Sequence, residues 1–122
     1  MARKSRRSGR RARPDPLKAP TTEYADADGN VLTLRGSLTA ATRREYATVR
    51  GGSPLSMEDA WHRALEFLFE RLAVRWVIAG LPIERQRDLL ARFRVASAVE
   101  RDWVRDTIRA HCADWFPDVE AP

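Results

Sequence analysis

Cysteine is almost absent from this 122-residue sequence, with Cys112 as its one representative. A single cysteine cannot form an internal disulfide, which fits a reducing compartment such as the cytoplasm. Long apolar runs are also missing. The most apolar stretch, residues 64–80, is interrupted by four charged side chains, and a membrane span needs roughly 20 uninterrupted apolar residues. The paired arginines near the N-terminus are not followed by the apolar segment of an export signal. The sequence therefore predicts a cytoplasmic protein with no membrane insertion.

Motifs for catalysis and for cofactors are missing as well. There is no nucleophile–base pattern and no glycine-rich phosphate loop. Asp26, Asp28 and Asn30 resemble the alternating oxygens of a calcium loop, but the glycine comes too early, and a hairpin turn explains the same letters. His111 and Cys112 are adjacent on a predicted helix, so they point about 100° apart and do not share a metal easily. We expect no catalytic residues, no metal and no cofactor, and a buried, hydrogen-bonded His111.

Positive charge is concentrated at the N-terminus. Residues 1–18 contain eight basic residues and one acid, a net charge of +7, whereas residues 19–122 contain 14 basic and 16 acidic residues, a net charge of −2. Residues 1–20 hold three prolines and only one sizeable apolar side chain, so we expect a disordered arm when the protein is free. Flexible cationic segments bind nucleic acid by releasing its counterions. The predicted nucleic-acid-binding residues are Arg3, Lys4, Arg6, Arg7, Arg10, Arg11 and Arg13.

Two other interpretations of this arm stay open. It can be a solubilising tail or one that binds an acidic protein, and it can be attracted to an anionic membrane surface. It lacks the apolar residues needed for insertion into a membrane. No aromatic residue is interleaved with its arginines, so base-specific recognition is not indicated.

The rest of the chain predicts a mainly α fold. Asp28-Gly29 between two β-prone runs predicts a hairpin over residues 21–36. Ser97 and Glu100 form a capping-box pattern that marks the start of the last helix. We expect a single globular domain over 21–122, in which the short N-terminal hairpin packs on a bundle of about four helices. The predicted helices span about 40–50, 57–79, 82–95 and 98–116.

Three residues of the second predicted helix are candidates for partner binding: Arg71, Arg75 and Trp76. The two arginines fall inside an apolar arc, where an unpaired charge is costly. Each must extend its charged end to solvent, meet a carboxylate, or line a partner site, where arginine beside tryptophan is a frequent anchor. The hypothesis predicts that Arg75→Ala weakens partner binding more than folding. The apolar arc is also wider than a small bundle covers, which favours a homodimer or a groove for a protein partner.

The last two predicted helices are joined by a tight turn at residues 96–97, which suggests a DNA-binding helix-turn-helix. Arg101, Arg105 and Arg109 form one stripe, but Asp102 and Asp106 lie among them and would repel phosphate. The ordinary solvent-exposed face of a surface helix has the same pattern.

These observations predict a non-enzymatic binding or adaptor module whose arm gives non-specific nucleic-acid affinity. The alternative is an adaptor or assembly factor that binds only protein. A hairpin followed by helices over a chain of this length resembles phage tail-assembly chaperones in outline, without a shared motif. A small enzyme is the distant third hypothesis.

Overall fold

The computed structural model describes residues 20–51 and 57–122. In these ranges 56% of residues are helical and 19% lie in strands, which form a four-stranded antiparallel sheet. The predicted mainly α bundle with a short hairpin is therefore wrong, and the fold is mixed α/β. The elements in chain order are β1 (Thr21–Ala25), β2 (Val31–Arg35), α1 (Ala40–Gly51), α2 (Met57–Leu72), β3 (Ala73–Ile78), β4 (Leu81–Ile83), α3 (Gln86–Arg94) and α4 (Ala98–Trp115).

The first two strands form the hairpin that the Asp-Gly turn predicted. Gly29 has a φ of +81°, a backbone conformation that glycine adopts at little cost. The Asp26 carboxylate accepts hydrogen bonds from the backbone N–H groups of Asp28 and Asn30, at 2.8 and 3.0 Å. The hairpin is half of a larger sheet, because β2 also pairs with β3.

The second predicted helix, 57–79, is wrong in its last third. α2 ends at Leu72, and the chain continues directly as β3. Val74, Trp76 and Ile78 fall within the broad apolar arc of α2 when its helical pattern is extended, but they also alternate as one face of a strand. The β-branched and aromatic residues of this segment favour the strand, where Trp76 lies opposite Leu32 of β2.

The third predicted helix starts later than Pro82. Pro82 lies in β4, an edge strand opposite Val77, where the missing N–H of proline is tolerated. Ala79 and Gly80 both have positive φ, at 52° and 79°, so they form the two-residue turn that suits a β-hairpin. The predicted helix end at Gly80 is therefore a hairpin turn, and α3 begins at Gln86.

The two faces of the sheet have different surroundings. Leu32, Trp76 and Ile83 share one face by their register, and Leu32 and Trp76 are almost fully buried. Phe69 of α2 meets the Trp76 ring edge-on at 5.7 Å and stacks on Phe93 of α3 at 4.6 Å. The helices therefore cover this face and form the core on it.

Capping residues lie at the starts of α1 and α4, and the cap of α4 is the one that the sequence predicted. Thr39 Oγ1 accepts the Thr42 N–H at 3.0 Å. Ser97 and Glu100 form a complete capping box at the start of α4. None of the described helices is long and apolar enough to cross a membrane.

Candidate partner-binding groove

Helix α2 has two apolar stripes, and the core covers only one of them completely. Ala60, Ala64 and Leu68 follow each other at four-residue spacing and are 4%, 0% and 0% exposed. Met57 and Trp61 begin the neighbouring stripe and are 72% and 54% exposed. Two large apolar side chains at the start of a helix are thus open to solvent, which is the kind of surface that marks an interaction site.

These two side chains line a groove between α2 and α4. It has a volume of about 600 Å³, and Leu65, at the end of the exposed stripe, also lines it. The opposite wall carries Arg101, Arg105 and Arg109 of α4. The first and last side chains of each stripe are eight positions apart, which corresponds to about 12 Å along a helix at 1.5 Å per residue. The groove therefore presents an apolar stripe and a cationic stripe of equal length.

The arginines of α4 are oriented by neighbouring groups but weakly neutralised. Arg105 lies 3.4 Å from Asp102 and 3.3 Å from Asp106, and both carboxylates are more than half exposed. Arg109 donates to the Pro122 carbonyl at 2.9 Å, and Arg101 lies over the Phe93 ring at 5.1 Å. Exposed ion pairs of this kind contribute about 0–1 kcal/mol. A carboxylate on a partner can therefore replace them at little cost.

The chemistry of the groove suits recognition of a polypeptide. An amphipathic helix binds a groove through apolar side chains at four-residue spacing, which is the spacing of Met57, Trp61 and Leu65. Arginine adds paired hydrogen bonds to a carboxylate on the flank of such a helix. Glu58 of α2 and Asp102 of α4 also line the groove, so each of its two walls carries a carboxylate.

The three predicted partner-binding residues do not form one surface patch. Trp76 is 2% exposed, and the Arg92 guanidinium lies 5.3 Å from its ring centre. Arg75 is exposed on β3, where it pairs with Glu84 at 3.4 Å. Because side chains alternate along a strand, Arg75 points to the opposite face of the sheet from Trp76.

Arg71 lies in the last turn of α2. Its guanidinium stacks on the Phe67 ring at 4.7 Å and pairs with Glu45 at 3.6 Å. Arg71 thus meets a carboxylate, one of the outcomes that the sequence left open. That any of the three residues binds a partner stays a prediction.

The seven predicted nucleic-acid-binding residues lie outside the described residues. They are Arg3, Lys4, Arg6, Arg7, Arg10, Arg11 and Arg13. The predicted disorder of residues 1–20 also falls almost entirely outside that range. The nearest described point is Pro20, whose carbonyl accepts the Gly36 N–H at 2.7 Å.

His111 is buried and hydrogen-bonded, as predicted. Its Nε2 donates to the Arg35 carbonyl at 2.8 Å, and its Nδ1 accepts from the Tyr24 hydroxyl at 2.7 Å. Burial lowers the pKa of His111 from its ordinary value, against the opposing effect of the Arg35 carbonyl. Burial also raises the pKa of the Cys112 thiol to about 11, which makes this thiol a poor nucleophile at neutral pH. No group of three side chains able to hold a metal occurs within 20–51 and 57–122.

The sequence favours a homodimer or a partner groove on the second predicted helix, but its candidate residues were Arg71, Arg75 and Trp76, and not Met57 and Trp61. The available signal was the apolar arc of α2, which is wider than one contact face. What the pattern lacked was where the other elements pack on α2, which buries the stripe of Ala64 and leaves Trp61 open. The arginine stripe of α4 was found, but it was interpreted as an ordinary solvent-exposed face.

Comparison with protein-family models, with curated proteins and with solved structures finds no match to this chain.

Proposed function

We propose that this chain is a non-enzymatic binding domain that takes an amphipathic polypeptide helix into the α2–α4 groove. The partner presents apolar side chains to Met57 and Trp61 and carboxylates to the arginines of α4. One observation carries the proposal: a tryptophan that is 54% exposed lines the same groove as three arginines. A cytoplasmic location belongs to the proposal, because a chain with one cysteine fits a reducing compartment.

The energetics of the groove support this choice of partner. Covering Met57 and Trp61 removes apolar surface from water, which stabilises a complex by roughly 25 cal/mol per Å². Tryptophan and arginine are also the side chains most enriched among residues that dominate binding energy. The cationic wall disfavours the chain's own +7 segment as the occupant, because like charges repel.

The experiment uses two matched peptide sets and the intact protein. Each peptide is an amphipathic helix of about 15 residues, with glutamate on the flank in one set and lysine in the other. We expect the glutamate set to bind and the lysine set to bind at least about tenfold more weakly. Trp61→Ala should abolish binding of the glutamate set.

Leu81→Ala is the matched control. Leu81 is a large apolar side chain that is 71% exposed, and it lies in β4, outside the groove. This variant should bind the glutamate peptides as the unmodified protein does. Equal binding by Trp61→Ala, or no binding of either set, rejects the proposal. A second copy of the chain in the groove would instead appear as a dimer in sedimentation that Trp61→Ala dissociates, and this too would reject it.

Non-specific nucleic-acid binding by residues 1–18 is the second proposed activity. The supporting observation is the net charge of +7 on this segment, next to a remainder with a net charge of −2. Each phosphate that the segment neutralises releases a counterion, so binding should weaken steeply as salt increases. A full-length variant with glutamine at the seven basic positions of residues 1–13 should lose this binding.

The test compares the unmodified protein with the full-length glutamine variant. The affinity of each for single-stranded RNA and DNA is measured over a salt series. Salt-sensitive binding that disappears in the glutamine variant supports the activity. Absence of binding by the unmodified protein rejects it and leaves an adaptor that binds only protein, the phage tail-assembly-chaperone-like alternative of the sequence analysis.

A further inference from the structure

A second cleft lies between the segment that follows β2 and the last turn of α2. It has a volume of about 290 Å³. Arg35 at the end of β2 and Arg71 at the end of α2 both line it, together with the hydroxyl-bearing residues Ser37, Thr39 and Thr42. Two arginines from different elements therefore line one cleft whose other lining residues are Leu38 and three residues that carry hydroxyl groups.

The arginines in this cleft are incompletely neutralised. No carboxylate of the described residues lies within the 4.0 Å of an ion pair from Arg35. Arg71 has only Glu45, at 3.6 Å, and that carboxylate side chain is 57% exposed. Two like charges that share a cleft repel each other, and a bound anion relieves this repulsion.

The same two arginines also line a neighbouring cleft of about 220 Å³. That cleft contains the carboxylates of Glu70 and Glu84, of which Glu84 pairs with Arg75 at 3.4 Å. Carboxylates repel an anion, so the hydroxyl-lined cleft is the one that suits an anionic ligand.

The phosphate group has the chemistry that this cleft requires. Its oxygens accept hydrogen bonds from arginine in a paired geometry and from hydroxyl groups singly. The Thr39 hydroxyl already donates to Thr42 Oγ1 at 2.9 Å, which fixes the two threonines relative to each other. The Phe67 ring holds the Arg71 guanidinium from one side at 4.7 Å, so this donor is oriented before a ligand binds.

The cleft also lies close to Pro20, where the described part of the chain begins. Thr21 lies opposite Arg35 in the sheet, and the Gly36 N–H donates to the Pro20 carbonyl at 2.7 Å. Pro20, the first described residue of this range, therefore lies beside Gly36, between the cleft-lining residues Arg35 and Ser37 in the sequence. Residues 1–18, which precede it in the sequence, carry a net charge of +7.

We propose that the Arg35–Arg71 cleft binds a backbone phosphate of the nucleic-acid strand held by residues 1–18. This inference rests on the second proposed activity, nucleic-acid binding by those residues. The contact positions the strand against the domain and does not select a sequence, because phosphates are the same at every base.

The test uses full-length protein and two probes. The first probe is a single-stranded oligonucleotide of about 20 nucleotides, titrated over a salt series. The double variant Arg35→Gln, Arg71→Gln should reduce the slope of log affinity against log salt by about 0.7 for the one phosphate lost. The matched control is the double variant Arg63→Gln, Arg85→Gln, which removes the same charge at two exposed positions outside both clefts. This control should leave the slope unchanged.

The second probe is pyrophosphate, which separates the cleft from the basic segment. In the variant with glutamine at the seven basic positions, pyrophosphate should still shift the amide NMR signals of Arg35 and Thr42. The Arg35→Gln, Arg71→Gln variant should lose these shifts while retaining the thermal unfolding midpoint within a few degrees.

The outcomes are distinguishable. Oligonucleotide binding whose salt slope is unchanged by the double variant overturns the inference and leaves nucleic-acid binding by residues 1–18 intact. If the unmodified protein binds no oligonucleotide, nucleic-acid binding by residues 1–18 is rejected, and this inference is rejected with it. Pyrophosphate that shifts no signal in the cleft overturns the inference in either case.

Discussion

The Tyr24 hydroxyl on β1 donates a hydrogen bond of 2.7 Å to Nδ1 of His111 on α4. The other ring nitrogen of His111 donates to the Arg35 carbonyl on β2. Because a carbonyl only accepts, the proton lies on Nε2, and the neutral ring satisfies both partners. A single buried imidazole therefore joins the last helix to the first two strands.

Stability should fall as the pH decreases below the ordinary histidine pKa. Burial lowers the pKa of His111 in the folded protein below its usual 6.5. The unfolded chain then takes up a proton that the folded chain binds less readily, so stability is complete above about pH 6.5 and is lost as the pH falls toward the folded value. Urea unfolding between about pH 8 and about pH 5 measures this dependence.

His62→Gln is the control for this prediction, because His62 is exposed on α2. It should keep the pH dependence, whereas His111→Gln should be less stable at every pH and should lose the component between about pH 7 and pH 5. An unchanged pH dependence in His111→Gln would show that other groups cause it.

Gly36→Ala should destabilise the protein through a steric clash. A Cβ at this position would lie 3.0 Å from the Trp115 ring and 3.1 Å from the Pro20 carbonyl oxygen. Overpacking of this kind costs about 1–3 kcal/mol. The matched change Gly51→Ala meets no described atom within 4 Å and should have a neutral or stabilising effect, since alanine favours a helix. Chemical denaturation measures the free energy of unfolding of both variants. Equal values would contradict the close contact at Gly36.

Local signals allowed the sequence to predict the start of α4 and the first hairpin. Ser97 and Glu100 satisfy each other within one turn, and Asp26 organises its own loop, so neither feature depends on distant residues. β3 could not be found in this way. Val74, Trp76 and Ile78 fit both periods, and the partner that decides between them, Leu32 opposite Trp76, lies 44 positions earlier in the chain.

The candidate site was predictable only in part, for a similar reason. The arginines of α4 and the apolar arc of α2 are visible in the sequence, and so is the basic N-terminus. Which stripe of α2 stays open depends on where the other helices and the sheet pack against it. The exposure of Trp61 is therefore a property of the tertiary fold and not of its own neighbours.

Substitutions at Ala79 separate the predicted helix from the observed hairpin. Ala79 has a φ of +52°, which costs a residue with a Cβ about 1–2 kcal/mol. Ala79→Gly relieves this strain at an entropic cost of about 0.5–1 kcal/mol, so the variant should be equally or slightly more stable. In a helix interior the same change would destabilise by about 1 kcal/mol. Thermal unfolding shows whether Ala79→Gly raises or lowers the stability of the protein. A clear loss of stability would contradict the hairpin turn.

Alanine substitutions of Trp61 and Trp76 should distinguish a side chain that lines the groove from one that stabilises the core. Trp76 is 2% exposed and contacts Phe69, so Trp76→Ala should lose about 3–5 kcal/mol of unfolding free energy. Trp61 is 54% exposed, and Trp61→Ala should change this free energy by less than about 1 kcal/mol. Urea denaturation gives both values, and acrylamide should quench the fluorescence of Trp61 far more than that of Trp76. A loss of several kcal/mol in Trp61→Ala would mean that this side chain stabilises the fold, and the groove would then lack the free apolar anchor on which partner binding depends.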